Sequence, residues 1–494
     1  MNIATLINRL PGPLAAIGLV MGLTSCAAWR TPDVQTVLSR SDAAMGGTDL
    51  KTIRFAGSGT GATFGQAYQP GMAWPKITYS SFSRTHDYEN AALREDAARS
   101  RAEATGGGAV PAMGAGEQRT TGMLRGTDAW NMVGPAPLPA ALAAPARVHD
   151  LWTSPHGVLK AALKNNPSVE ARSVDGQVFN AVSFTQPGYF TATAFINADN
   201  LVERVESVQP NPVLGDMPVV TRYSDYKDFA GVKFPMRIRQ SMAGFEVLDL
   251  NVSEVQANLP VAIEVPALVK VASERVTAEK AAEGVWFLAG GSHNSVAIEM
   301  KDYLILVESP LYDGRAAPVI AEARKLGASK GVRYVISSHH HFDHAGGLRT
   351  AAAEGAEIVA SAQARAYYER ILANPNRISP DALEKSGKKA TVSGVDGKRV
   401  FTDGTRVVEL YYIEGSPHAD GFMMVYLPAE KLLIEADAYT PGAPGATPAA
   451  QPSALNLNLV QNIERLKLDV ERILPLHGRM VAFSELQAAV GRKP

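Results

Sequence analysis

The sequence predicts an α+β protein in which a β-rich antiparallel domain precedes a domain of interleaved strands and helices. Three observations carry this. Between residues 51 and 255, eight segments alternate or run apolar, with Gly, Pro, Asn and Asp between them. After residue 271, apolar β-branched runs alternate with helical segments. Where one of those runs gives way to a helix stands His339-His340-His341-Phe342-Asp343-His344, an H-x-H-x-D-H pattern.

At 494 residues the chain is too long for one core. The reading is a leader over 1–26, a β-rich domain over 31–258, a linker over 259–270 with Pro260 and Pro266, and a metal-binding domain over 271–494. A net charge of −1 speaks against a polyanionic partner, so no nucleic acid is expected. The leader has Arg9 and then an apolar run over 14–23, too short to span a bilayer and typical of an export signal. Its end, Leu23-Thr24-Ser25-Cys26, looks like a bacterial lipobox, with Cys26 acylated as the mature amino terminus; the alternative is ordinary cleavage near Ala27 or Ala28. The expected location is the periplasm or the periplasmic face of the outer membrane, with membrane attachment through lipidated Cys26. Cys26 is the sole cysteine, which excludes an internal disulfide and a thiolate metal ligand.

In the first domain, residues 31–45 have helical spacing and stop at Gly46-Gly47. Strands are expected over 51–58, 76–84, 177–184, 189–196, 202–208, 219–226, 232–240 and 245–255, interrupted by a helix over 158–164. Strands at this spacing suggest a large antiparallel sheet curved around a helix. Residues 95–118 and 133–147, rich in Ala, Gly and Pro, are expected to be mobile loops. Residues 223–235 resemble the repeated hairpins of lipoprotein-carrier half-barrels. His86, His149 and His156 share no spacing and are assigned surface or packing roles. No ligand is assigned to this domain.

In the second domain, 285–289, 295–300 and 303–308 form an opening meander, and 316–326 is an amphipathic helix. The strand 333–337 delivers the histidine motif; 348–354, 361–372 and 456–468 are helices. His339 and His341, two apart on extended backbone, leave on one side and can share a metal, while Asp343 and His344 begin the turn and point towards a second ion. Zinc-like divalent metals take imidazole nitrogen and carboxylate oxygen at about 2.0–2.2 Å. His418 lies between two strands, and Asp437 and His477 each end a strand, where α/β sheets present their sites. A solvated loop or a tag would need no such matching donors downstream. His340 points away from its neighbours and is read as a supporting or structural ring. His293, on an early hairpin, is a further contact at the mouth.

Over 271–490 these separated motifs resemble the metallo-β-lactamase fold superfamily. The resemblance implies an αβ/βα sandwich whose second half repeats the first. It also implies two divalent metal ions, expected to be zinc with iron or manganese as alternatives. His339, His341 and His418 would hold the first, Asp343, His344 and His477 the second, with Asp437 bridging. Two departures stand out: Glu308 takes the place of a frequent Asp, and His477 lacks the usual preceding Gly.

The function expected from this set is an exported dinuclear hydrolase using a metal-bridging hydroxide on a small molecule: an ester, thioester, lactone or amide. Asp343 both ligates and orients the nucleophile, and is the expected catalytic group. By the same resemblance, a bridging Asp437 and no cysteine ligand disfavour antibiotic hydrolysis. Residues 440–453, rich in Pro, Ala and Gly, are expected to wall the pocket and suit an uncharged substrate. One alternative is an iron-dependent oxidoreductase of the same fold; its flavodiiron form is disfavoured because no flavodoxin-like domain follows before Pro494. The other is an envelope binding or assembly protein with a residual metal site.

Overall fold

The computed structural model describes residues 33–102, 116–445 and 451–492, so the leader and Cys26 lie outside the described residues. Helix Val34–Ala44 opens the described chain, with Asp33 accepting from the Thr36 amide at its start. Thirteen strands of the described residues then form one antiparallel sheet. Its centre is the pairing of the first strand, Thr52–Ala62, with the last, Phe245–Ala257. From the first strand a meander runs outward through Lys76–Asp87, Ala92–Arg101, Gln118–Arg125, Asp128–Val133 and Ala136–Pro139. On the other side the order is Val232–Met242, Gly215–Phe229, Val202–Asn211, Phe190–Ile196, Gln177–Gln186 and Ser168–Val174.

Helices Ala144–Trp152 and Pro155–Lys164 connect the two outer edges. Ala144–Trp152 touches both Ala92–Arg101 and Val202–Asn211, which stand six strands apart. A flat sheet would separate those strands by about 29 Å at 4.8 Å per strand, far more than a helix is wide. The sheet therefore curls around its helices, as expected. Phe55, Phe234, Leu159, Val158, Leu151 and Phe190 fill the enclosed core.

Two stretches expected to be loops belong to the sheet. Residues 95–101 extend Ala92–Arg101, pairing Glu95 with Arg84, while 118–125 returns beside them. Residues 136–139 form an edge strand and 144–147 begin a helix. Their small and charged residues hid the pattern, because ion pairs such as Arg84–Glu95 take the place of apolar alternation. The intervening 103–115 lie outside the described residues.

Residues beyond the first sheet pin the chain before the second domain: Ile263 and Val269 pack with Trp130 and Ala92, and Arg125 donates to the Ile263 carbonyl at 2.9 Å. The second domain stacks two sheets. One runs Thr277–Ala282, Val285–Ala289, Ser295–Glu299, Leu304–Val307, Val332–Ile336, Glu357–Ser361 and Thr391–Val395. The other runs Lys398–Thr402, Val407–Tyr412, Met423–Leu427, Leu432–Glu435, Arg472–Pro475 and Val481–Ala482. Alternation along Leu304–Val307 shows why both faces are apolar. Ile305 and Val307 face the other sheet, whereas Leu304 and Leu306 pack under the helix Asp313–Leu326. Helices Asp313–Leu326, Leu348–Glu354 and Ala362–Leu372 cover the first sheet, and Ala454–Arg465 and Phe483–Ala489 lie with the second. This is the αβ/βα sandwich.

The two domains are in contact. Val213 packs in the second domain's outer core, and Asp216 donates its amide to the Pro375 carbonyl at 2.7 Å. Asp216 also accepts from the Arg377 and Ile378 amides.

Candidate metal centre

All seven histidines and aspartates singled out as ligands come together at one end of the sandwich. His339 and His341 follow the strand Val332–Ile336; Asp343 and His344 sit in the short helix Phe342–Ala345. His418 follows Val407–Tyr412, Asp437 follows Leu432–Glu435, and His477 follows Arg472–Pro475. Short strands end there together, so their loops share one edge.

His339, His341 and His418 form the first donor group. His339 Nε2 lies 2.9 Å from His341 Nδ1 and 3.1 Å from His418 Nε2. Four ligands about 2.0 Å from a tetrahedral ion lie about 3.3 Å from one another, so this spacing suits a common ion. The outward nitrogens are engaged elsewhere: His339 Nδ1 shares a hydrogen bond with Ser338 Oγ at 2.9 Å, and His341 Nε2 donates to the Ala67 carbonyl at 3.0 Å. Such outer partners fix which ring nitrogen is free to bind a metal.

The second group is His293, Asp343, His344 and His477. His344 Nε2 and His477 Nε2 are 3.1 Å apart, and Asp343 Oδ2 is 3.7 Å from His344 Nε2. His293 Nε2 is 3.0 Å from Asp343 Oδ2, and its Nδ1 meets Ser292 Oγ at 2.8 Å. The contact assigned to His293 thus becomes a place in the donor group. The hairpin of Gly290 and Gly291 had signalled no more than proximity.

Asp437 stands between the groups. Its Oδ2 lies 2.8 Å from His344 Nε2, 3.3 Å from His339 Nε2 and 3.4 Å from His418 Nε2, while Oδ1 lies 3.0 Å from His477 Nε2. Oδ2 is buried and has no well-aligned hydrogen bond, its nearest basic neighbour being His344 Nε2. A carboxylate oxygen left so is costly unless a cation satisfies it. The residues present therefore fit bound metal, with Asp437 placed between the two donor groups.

The electrostatics agree. Burial, then the neighbouring imidazoles, hold His339 and His341 well below histidine's ordinary value, keeping them neutral and able to ligate. Burial opposes charge on His344, but Asp437, Asp343 and Glu308 outweigh it and raise its pKa well above the usual value. Burial likewise works against ionising Asp343 and Asp437, and His344 overcomes it, so both stay well below the carboxylate range. Three carboxylates converge on a point that attracts positive charge.

Access is one-sided. His339, His341, His344 and His418 are almost wholly buried, whereas the side chains of His477 and Asp343 are 20 and 30 % exposed. Pro441 lies beside Gly478, the residue after His477, and 446–450 fall outside the described residues. His340 turns away from both groups, donating from Nε2 to the Ala67 carbonyl at 2.8 Å. His86, His149 and His156 are buried in the first domain, in packing positions, and join no donor group among the described residues.

Glu308 explains its departure from Asp by geometry. It is fully buried with φ +68°, accepts from the Ser338 amide through Oε1 at 2.7 Å, and sets Oε2 3.5 Å from His344 Nδ1. Sequence reasoning missed Gln66, whose amide donates to Asp343 Oδ1 at 2.8 Å across 277 positions of chain.

Residues 288–477 match the family described as the metallo-beta-lactamase superfamily, and the C-terminal half of the chain carries a domain of that fold. A metallo-beta-lactamase from Pontibacter korlensis aligns at 17 % identity and TM-score 0.34, covering 44 % of this chain and 98 % of its own. One from Hirschia baltica aligns at 20 % identity and TM-score 0.33, over 43 and 95 % of the two chains. FIM-1 from Pseudomonas aeruginosa, in a mono-zinc form, aligns at 18 % and 0.33, over 44 and 95 %. No curated protein matches the sequence.

Proposed function

We propose that the protein is an exported dinuclear metallohydrolase acting on an ester, thioester, lactone or amide. The observation that carries this reading is Asp437 Oδ2, buried within 2.8–3.4 Å of three imidazole nitrogens that belong to both donor groups, with no well-aligned hydrogen bond to any of them. His339, His341 and His418 would hold one divalent ion, and Asp343, His344, His477 and Asp437 would serve the second, with Asp437 common to both. A pair of such ions supplies Lewis acidity and lowers the pKa of water towards neutrality.

The protein's own groups supply the rest. Asp343 is ionised at neutral pH, so its carboxylate can hold and orient a cation or a hydrogen-bond donor at the mouth. His293, 3.0 Å from Asp343 Oδ2, is close enough to hold the carboxylate in place. The burial of the first donor group confines substrate to the side of Asp343 and His477. The Pro-, Ala- and Gly-rich composition of 440–453 supports a neutral substrate over a phosphate, which calls for Arg or Lys.

The test is metal analysis of protein reconstituted with zinc, followed by turnover of ester, thioester, lactone, amide and phosphodiester substrates. Two ions per chain and hydrolysis of a carbonyl substrate are expected. A stoichiometry fixed near one under excess zinc would rule out the dinuclear centre, and activity confined to the phosphodiester would rule out the substrate class.

A further inference from the structure

The loop of residues 63–75 joins the central strands Thr52–Ala62 and Lys76–Asp87 of the N-terminal sheet, yet most of its polar contacts lie in the other domain. Five consecutive residues reach across, the last being Gln69, whose side-chain amide donates to Asp420 Oδ2 at 3.4 Å. The Gly65 carbonyl accepts from the Phe342 amide at 3.2 Å, and Gln66 Nε2 donates to Asp343 Oδ1 at 2.8 Å. The Ala67 carbonyl accepts from His340 Nε2 at 2.8 Å and His341 Nε2 at 3.0 Å. The Tyr68 carbonyl accepts from the Asp420 amide at 2.8 Å, and its hydroxyl donates to the Ser416 carbonyl at 3.1 Å. The loop therefore wedges between the two segments that carry His339–His344 and His418.

Its seat is built for close approach. Phe342, the motif residue between His341 and Asp343, packs edge-on to Phe64 at 5.2 Å and to Trp74 at 6.1 Å. Trp74 in turn meets Phe245 of the central sheet at 5.3 Å. Gly65 has φ +79°, and a Cβ there would fall 2.5 Å from the Phe342 ring. Only glycine lets the backbone pass so near the motif.

We propose that this loop is a structural part of the metal centre, with Gln66 as a positioning residue for Asp343 and the Ala67 carbonyl as the partner that fixes His341. The inference rests on the metal-centre reading above. A neutral imidazole has one N–H, and a carbonyl can only accept. Ala67 therefore keeps the proton on His341 Nε2 and turns the Nδ1 lone pair inward, towards His339 Nε2. A carboxylate has two equivalent oxygens and can rotate about its terminal bond. Gln66 holds Oδ1, which leaves Oδ2 facing His293 and His344. Gln66 is itself largely buried, so water competes little for that bond. The N-terminal sheet is then no separate carrier module but one wall of the site.

The experiment uses the full chain and zinc as the probe. Gln66→Met keeps the side chain's length while removing the amide, and Gln66→Glu places a second carboxylate against Asp343. Zinc affinity at each site is measured by competition with a chromophoric chelator, and the absorption spectrum of cobalt-loaded protein reports ligand geometry. Second-site affinity should fall about 10–100-fold in Gln66→Met, the usual size for losing an outer partner, and further in Gln66→Glu. First-site affinity should hold, the cobalt spectrum should change, and the metal-free melting temperature should stay near wild type. Two zinc ions in the wild type with unchanged affinity and spectrum in both variants would overturn this inference alone. A wild type that takes up no metal would overturn the metal-centre reading and this inference with it.

Discussion

Glu308 Oε2 lies 3.5 Å from His344 Nδ1, on the side of the ring away from Asp437. Neither atom has a hydrogen-bond partner, so a small shift that closed this gap would hold a proton on Nδ1 and present Nε2 to the donor group. Glu308→Gln keeps the acceptor for the Ser338 amide but removes the charge. Zinc affinity at the second site should drop about 10–100-fold. Equal affinity in a chelator competition would show that His344 is oriented without it.

Asp343→Asn should lower turnover by orders of magnitude while the first metal stays bound, because it removes a charged donor from the second group alone. His340→Ala removes a hydrogen bond to Ala67 and no donor of either group, so its loss in turnover should be far smaller. Steady-state kinetics with metal analysis of both variants decide this. Parallel losses would mean that His340 belongs to the working centre.

Stability should fall as pH drops from about 6.5 to about 4 through His156. Burial lowers its pKa to about 4, and its hydrogen bond to the Met45 carbonyl at 3.1 Å offsets this only in part. The unfolded chain, with an ordinary histidine, binds the proton first; protonation across that window therefore favours unfolding, and the decline ends below the folded value. His86, brought to about 3 by burial and then by Arg84, acts in the same direction. One such group contributes at most about 1.4 kcal/mol per pH unit. His156→Gln, compared with wild type by thermal melts in chelator, should show a shallower loss between pH 7 and 4.5. Superimposable slopes would remove His156 from the account.

Cys26 is proposed as the acylated amino terminus of an exported lipoprotein. Each buried CH₂ of an acyl chain adds about 0.8 kcal/mol of membrane affinity, so several chains would hold the protein on a bilayer. Cys26→Ala should release it to the soluble periplasmic fraction or leave its precursor uncleaved, with metal content unchanged. An unmodified terminus at Ala27, Ala28 or beyond, read by mass spectrometry of the wild type, would mean a freely soluble exported enzyme.

Much of the candidate site was legible in the sequence because its chemistry is local. His339, His341, Asp343 and His344 share one strand-to-helix turn, and His418, Asp437 and His477 each stand just beyond an apolar strand whose end is forced to the sheet's edge. The strands that alternate cleanly were legible for the same reason, since period-two burial is written residue by residue. Ala92–Arg101 was not, because charged pairs replace apolar alternation along it. Tertiary structure alone decided three things. It set Gln66 against Asp343, drew His293 into the second donor group, and seated Phe342 in an aromatic cluster of the other domain. Each joins residues about 50 or more positions apart through one hydrogen bond or ring contact. Such a pairing leaves no periodicity, because its partner is chosen by where two sheets dock and not by the residues beside it in the chain.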